Sequence, residues 1–130
     1  MAAVVKIDVA PGELIDKLTI LEIKRERMSD AAKLANVNVE YASLRAACDA
    51  ALPQDEPLPT LWRELRAVNE QLWVIEDDIR DCERNGDFGP RFIELARAVY
   101  RTNDRRAELK RAINVALGSS LIEEKSYAAY

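Results

Sequence analysis

Hydrophobic positions along the chain repeat at three-and-four spacing over most of its length, which predicts helices rather than strands. The clearest run starts at Leu58. Leu58, Leu61, Leu65, Val68, Leu72, Ile75, Ile79 and Cys82 alternate in steps of three and four, a heptad seam more than three repeats long. Asn85 to Pro90 then supply turn chemistry, with glycines at 86 and 89, so the chain is expected to reverse. A returning seam follows through Phe92, Leu95, Val99, Thr102, Arg106, Leu109, Ile113 and Ala116, and Gly118 is a natural residue to end it. The prediction is a long antiparallel helical hairpin whose arms each run for roughly 40 Å.

Two shorter helices are predicted before the hairpin. Pro11 suits a first turn, and Glu13 and Asp16 suit the positive end of the helix dipole, so a first helix is expected from there to about Met28. Ser29 or Asp30 caps a second helix reaching Leu52, which the weak helix formers Asn36 to Val39 threaten to split. Pro53, Pro57 and Pro59 mark the connection to the hairpin. Residues 1–10 alternate too briefly to make a sheet and read as an extended arm, and residues 119–130 read as an aperiodic tail. Together these elements describe one all-α domain over residues 1–130, an up-down bundle of three or four helices built on the hairpin. There is no internal repeat.

The pattern also bears on assembly. The hairpin arms outreach the first helix by several turns. That helix itself carries Leu14, Leu18 and Leu21 on one face and Ile20 and Ile23 on nearly the opposite one, where a surface helix needs a single apolar stripe. A homodimer is the expectation, the competing one being that the arm or tail covers the second stripe.

Composition narrows the chemistry. Among 130 residues there is no His, which excludes imidazole bases, Ser-His-Asp and Cys-His catalysis and the common zinc sites. A net charge of −4 gives no general case for nucleic acid or an anionic membrane. Cys48 and Cys82 lack CxxC spacing and fit a reducing compartment; with neither a cleavable leader nor a long apolar run, a cytoplasmic location is expected. Between Leu52 and Pro90 ten acids face four bases, and between Arg91 and Arg111 seven bases face three acids. This asymmetry is expected to pair the two arms, because the arginines scatter around the helix without the aromatic platform of a nucleic-acid binder. Carboxylates at i, i+4, Glu22 with Glu26 and Asp77 with Asp81, raise metal binding only to have it weakened, since the second pair points away from the seam; no cofactor is expected.

Polar residues on apolar faces single out one candidate site. Glu22 and Arg25 are expected to be at least half buried on the first helix, and Arg106 interrupts the last seam with Tyr100, Asn103 and Lys110 beside it. Asn69, Trp73 and Glu76 flank the facing seam, with Asn69 and Trp73 at the height of Tyr100 to Arg106. One reading is a small-molecule-binding protein or metal-free enzyme, with an inter-helix pocket in which Arg25, Arg106 and Lys110 hold an anionic small molecule such as a sugar-nucleotide or carboxylate. In it Asn69 and Asn103 orient the ligand, Trp73 or Tyr100 forms a wall, and Glu22 and Glu76 are the acids. The other is a buried ionic network that sets helix register, with the chain acting as a non-enzymatic interaction or accessory module for a protein partner.

The stretches Gly12-Glu13-Leu14-Ile15-Asp16-Lys17-Leu18-Thr19-Ile20-Leu21-Glu22, Val68-Asn69-Glu70-Gln71-Leu72-Trp73 with Ile75-Glu76-Asp77, Phe92-Ile93-Glu94-Leu95-Ala96-Arg97, Asn103-Asp104 and Glu123-Glu124-Lys125-Ser126-Tyr127 resemble a family of small, all-helical bacterial proteins of unknown function. The resemblance spans nearly the whole chain. It implies a helical fold and bacterial origin without assigning roles to residues. A looser similarity to the all-α chorismate mutases is broken by the first helix, which lacks their spaced Arg series.

Overall fold

The computed structural model describes residues 3–130 and contains four helices: α1 (Pro11–Arg27), α2 (Ala31–Ala51), α3 (Leu58–Arg84) and α4 (Pro90–Ala116). The all-α architecture and the long α3–α4 hairpin match the periodicity.

Local chemistry accounts for the boundaries. Pro11 stands in the first turn of α1, while Lys24, Arg25 and Arg27 stand in its last, where the dipole favours cations. The Asp30 carboxylate caps α2 by accepting from the Lys33 N–H at 2.9 Å. α2 runs unbroken through Asn36 to Val39. The propensity deficit there is only a few tenths of a kcal/mol per residue, and Val37 is buried. Both hairpin helices end in Schellman geometry with glycine in the left-handed region. Gly86 has φ 65° with Asp87 N–H donating to the Cys82 carbonyl at 2.8 Å, and Gly118 has φ 66° with Ser119 N–H donating to the Asn114 carbonyl at 2.9 Å.

α1 is the centre of the arrangement, lying against α2, α3 and α4. Of its second apolar stripe, Ile23 is buried within the single chain and Ile20 is half-buried, with α2 packed on α1 while residues 3–9 are exposed. The main core joins Ile15 and Leu18 of α1, Cys48 of α2, Leu65 and Val68 of α3, and Leu109 and Ile113 of α4. Both cysteines are buried free thiols.

Burial along the hairpin is uneven. Near α1 the seam residues Leu58, Leu65, Leu109 and Ile113 are fully enclosed, but toward the turn Leu72, Ile75, Ile79, Phe92 and Leu95 are only half-buried, with Cys82 the exception. α1 is 17 residues against 27 for each arm, so it cannot reach the turn end. The arms' opposite charges cross between helices at Arg105 with Glu64 (3.7 Å) and Arg91 with Asp78 (3.9 Å). Most other arginines of the hairpin pair along their own helix, as Arg80 does with Glu76 and Arg97 with Glu94.

Candidate functional site

Gly12, Asp16, Thr19 and Ile23 follow one another at steps of four, three and four, which places them on one face of α1, and all four are buried. Gly12 brings the helices together. A Cβ at that position would stand 2.3 Å from the Lys110 carbonyl oxygen, so only glycine admits this approach of α1 to α4. The Gly12 N–H, one of the orphan donors of a helix start, is taken up by the Asn114 side-chain oxygen at 2.7 Å.

One turn further, Asp16 is 1% exposed. Arg106 of α4 grips it with two guanidinium hydrogen bonds, Nε to Oδ1 at 2.9 Å and a second from Nη2 to Oδ2. Asn69 of α3 donates from the same amide nitrogen to Asp16 Oδ1 and to Thr19 Oγ1, each at 2.9 Å, while the Thr19 hydroxyl donates to the Asp16 carbonyl at 2.8 Å. The hydrogen bond to Asp16 holds the Arg106 pKa above its ordinary value against the opposing effect of burial. No buried side-chain polar atom among the described residues lacks a partner. The arrangement ties α1, α3 and α4 into register.

At the rim of this network Lys110 is clamped between Glu13 of α1 at 2.7 Å and Glu123 of the tail at 3.0 Å. Burial pushes the Lys110 pKa down, but the two carboxylates outweigh it and leave it raised. Lys110, Arg106, Asn103 and Tyr100 line an open groove of about 1290 Å³ between α4 and residues 123–130. Tyr100 meets the Tyr130 ring edge-on, centroids 5.0 Å apart.

Glu22 and Arg25 sit elsewhere, in a shallower depression of about 800 Å³ between α1, α2 and α3. The Glu22 carboxylate accepts from Trp62 Nε1 and from Arg66, both at 2.9 Å, and Arg66 also reaches Glu26 at 2.5 Å. Arg25 is exposed, contrary to its expected half-burial. At the end of α1 it turns toward α2, donating to Asn38 at 3.1 Å and lying 4.2 Å from the Tyr41 ring centroid. Glu76 pairs with Arg80 on the outer surface of α3, and Trp73 is half-buried and lines neither depression.

The nine candidates therefore separate. Asn69 and Arg106 meet in the network; Tyr100, Asn103 and Lys110 join Arg106 along the groove; Glu22 and Arg25 form the second depression; Trp73 and Glu76 stand apart. Asp16, the hub, reads in sequence as a helix-start acid. The step pattern shared with Gly12, Thr19 and Ile23 is the signal that marks it as inward-facing.

No helix among the described residues is long and apolar enough to cross a membrane. The chain matches no curated protein and no solved structure. A family model does match it, over residues 5–130, and the chain belongs to that family, the Family of unknown function (DUF6165).

Proposed function

We propose that the protein is a non-enzymatic helical interaction module that works as a homodimer, with the turn-side half of the α3–α4 hairpin as the pairing surface. The observation that carries this reading is the exposure of large apolar side chains on the part of the hairpin that α1 and α2 leave uncovered: Val74 is 44% exposed, Phe88 56% and Ile93 54%. Charge favours a second copy as the partner. The turn-side part of α3 carries Glu76, Asp77, Asp78, Asp81 and Glu83 against Arg80 and Arg84, and that of α4 carries Arg91, Arg97 and Arg101 against Glu94, so a net acidic stretch lies beside a net basic one. A two-fold axis along the hairpin sets α3 of one copy against α4 of the other, acidic edge to basic edge.

The mid-bundle polar groups support a structural role for the same reason. Arg106 is spent on Asp16, and Lys110 on Glu13 and Glu123. An anionic metabolite would have to displace these carboxylates before it met a free cation, which weighs against the sugar-nucleotide or carboxylate pocket. Sedimentation equilibrium tests the reading. The native chain is expected to be a dimer at micromolar concentration, and Val74→Glu with Ile93→Glu to be monomeric with unchanged helicity; a native monomer at 100 times that concentration, roughly 3 kcal/mol further along the binding scale, overturns it.

A further inference from the structure

The tail makes a ladder of contacts down one side of α4. Glu123 meets Lys110 at 3.0 Å and Glu124 meets Arg111 at 3.2 Å. Further on, Lys125 meets Asp104, and the Tyr130 hydroxyl donates to the same carboxylate at 2.6 Å while its ring abuts Tyr100. From Glu123 and Glu124 to Tyr130 the contacts move from Lys110 and Arg111 back to Asp104 and Tyr100, so the segment as a whole runs antiparallel to α4. From Lys110 to Tyr100 the helix advances about 15 Å, whereas the tail residues facing that stretch can extend to about 24 Å. The strap is slack, which leaves the groove open beneath it.

Its hold is weak by construction. Residues 120–130 are all exposed, and past Leu121 no backbone group of the tail is hydrogen-bonded among the described residues. Leu121, Ile122 and Tyr127 remain exposed and so contribute little burial. What remains are the Tyr130 contacts with Asp104 and Tyr100 and ion pairs at the surface of the bundle, the latter screened by salt. Release also leaves Lys110 its Glu13 partner on α1.

We infer that this face of α4 is a docking site for an extended segment of a partner protein carrying an acidic pair, a following cation and an aromatic residue, and that residues 119–130 occupy it as a displaceable internal competitor. Lys110 and Arg111 receive the acids, Asp104 receives the cation and the phenol, and Tyr100 receives the ring. This surface is separate from the turn-side hairpin, and the inference stands whether or not that hairpin pairs.

The test is fluorescence polarisation with a labelled peptide of the sequence of residues 119–130, titrated with the full chain and with the full-length triple variant E123K/E124K/K125E, whose α4 is untouched. The triple variant is expected to bind the peptide at least ten-fold more tightly than the native chain. Adding D104K and R111E to it is expected to abolish binding with helicity retained. Equal affinity for both chains, or no binding by the triple variant, overturns the inference. So does dissociation of a native dimer by the peptide, which would mean that the tail is exchanged between copies; the hairpin variant V74E/I93E separates that result from pairing through the hairpin.

Discussion

Asp16 and Arg106 are separated by 90 positions in the chain, yet the guanidinium of one closes on the carboxylate of the other inside the bundle, Nε to Oδ1 at 2.9 Å. The two ends of the pair are unequally placed. Asp16 is almost wholly enclosed, whereas 30% of the Arg106 side chain still faces water.

That inequality orders two substitutions. Arg106→Met leaves an enclosed anion with only Asn69 to answer it and is expected to cost on the order of 3 to 5 kcal/mol. Asp16→Asn leaves a cation that can turn toward solvent, and a smaller loss of about 1 to 3 kcal/mol is expected. The double variant should lose about 2 kcal/mol less than the sum of the two. Urea denaturation of the three proteins checks the order; strict additivity would mean that the pair is not coupled.

Gly12→Ala places a methyl group against the Lys110 carbonyl and strains the donation to Asn114. Backbone cannot yield as a side-chain end can. A loss of about 3 kcal/mol, or roughly 10 °C in melting temperature, is expected. Glycine to alanine in an unobstructed helix would instead gain about 1 kcal/mol, so the sign of the shift decides whether α1 and α4 meet this closely.

The tail ladder has a pH window. Lys125 and Tyr130 hydrogen bonds hold the Asp104 carboxyl below its usual range. Its contribution is therefore present above about pH 4 and lost as pH falls through the lowered value. Tyr130 is raised by its hydrogen bond to Asp104, and Lys110 is raised as described, so their contributions are present below about pH 10 and lost as pH climbs through the raised values. Tyr130 ring resonances in NMR spectra should keep one position from about pH 5 to 9 and move toward free-peptide values beyond either edge. Movement centred near neutrality would contradict the ladder.

Burial foremost, with Arg45 pulling the other way, raises the Cys48 thiol above its ordinary pKa, and Cys82 is equally enclosed. Neither thiol should react with a disulfide reagent at pH 8 faster than the chain unfolds. Rapid labelling of either in the native state would show that the core opens locally at that helix.

The sequence discloses the hairpin because a heptad seam and a glycine-containing turn are local signals, and Leu58 to Cys82 and Phe92 to Ile113 carry them in full. It also points to Arg106, which interrupts an apolar row, and to Asn69, which flanks the facing one. Asp16 escapes notice because a carboxylate near a helix start has an ordinary explanation in the dipole, and only its three-dimensional neighbours distinguish the two roles. Arg25 misleads for the opposite reason. Its angular position is apolar, but it stands in the exposed last turn of α1, where a long side chain swings toward Asn38 and Tyr41. Tail docking carries no periodic signature, since an extended segment held by scattered charges leaves none.

The central position of α1 has a kinetic consequence. The hairpin closes through a short turn and can form from local contacts alone, whereas α1 gains its α4 partner only after nearly the whole chain is available. During synthesis from the N-terminus, Asp16 and the apolar residues around it emerge early and wait for Arg106. Docking of α1 onto α4 is thus a late, long-range step of folding, and substitutions at Gly12 or Asp16 are expected to accelerate unfolding far more than they slow the formation of the hairpin.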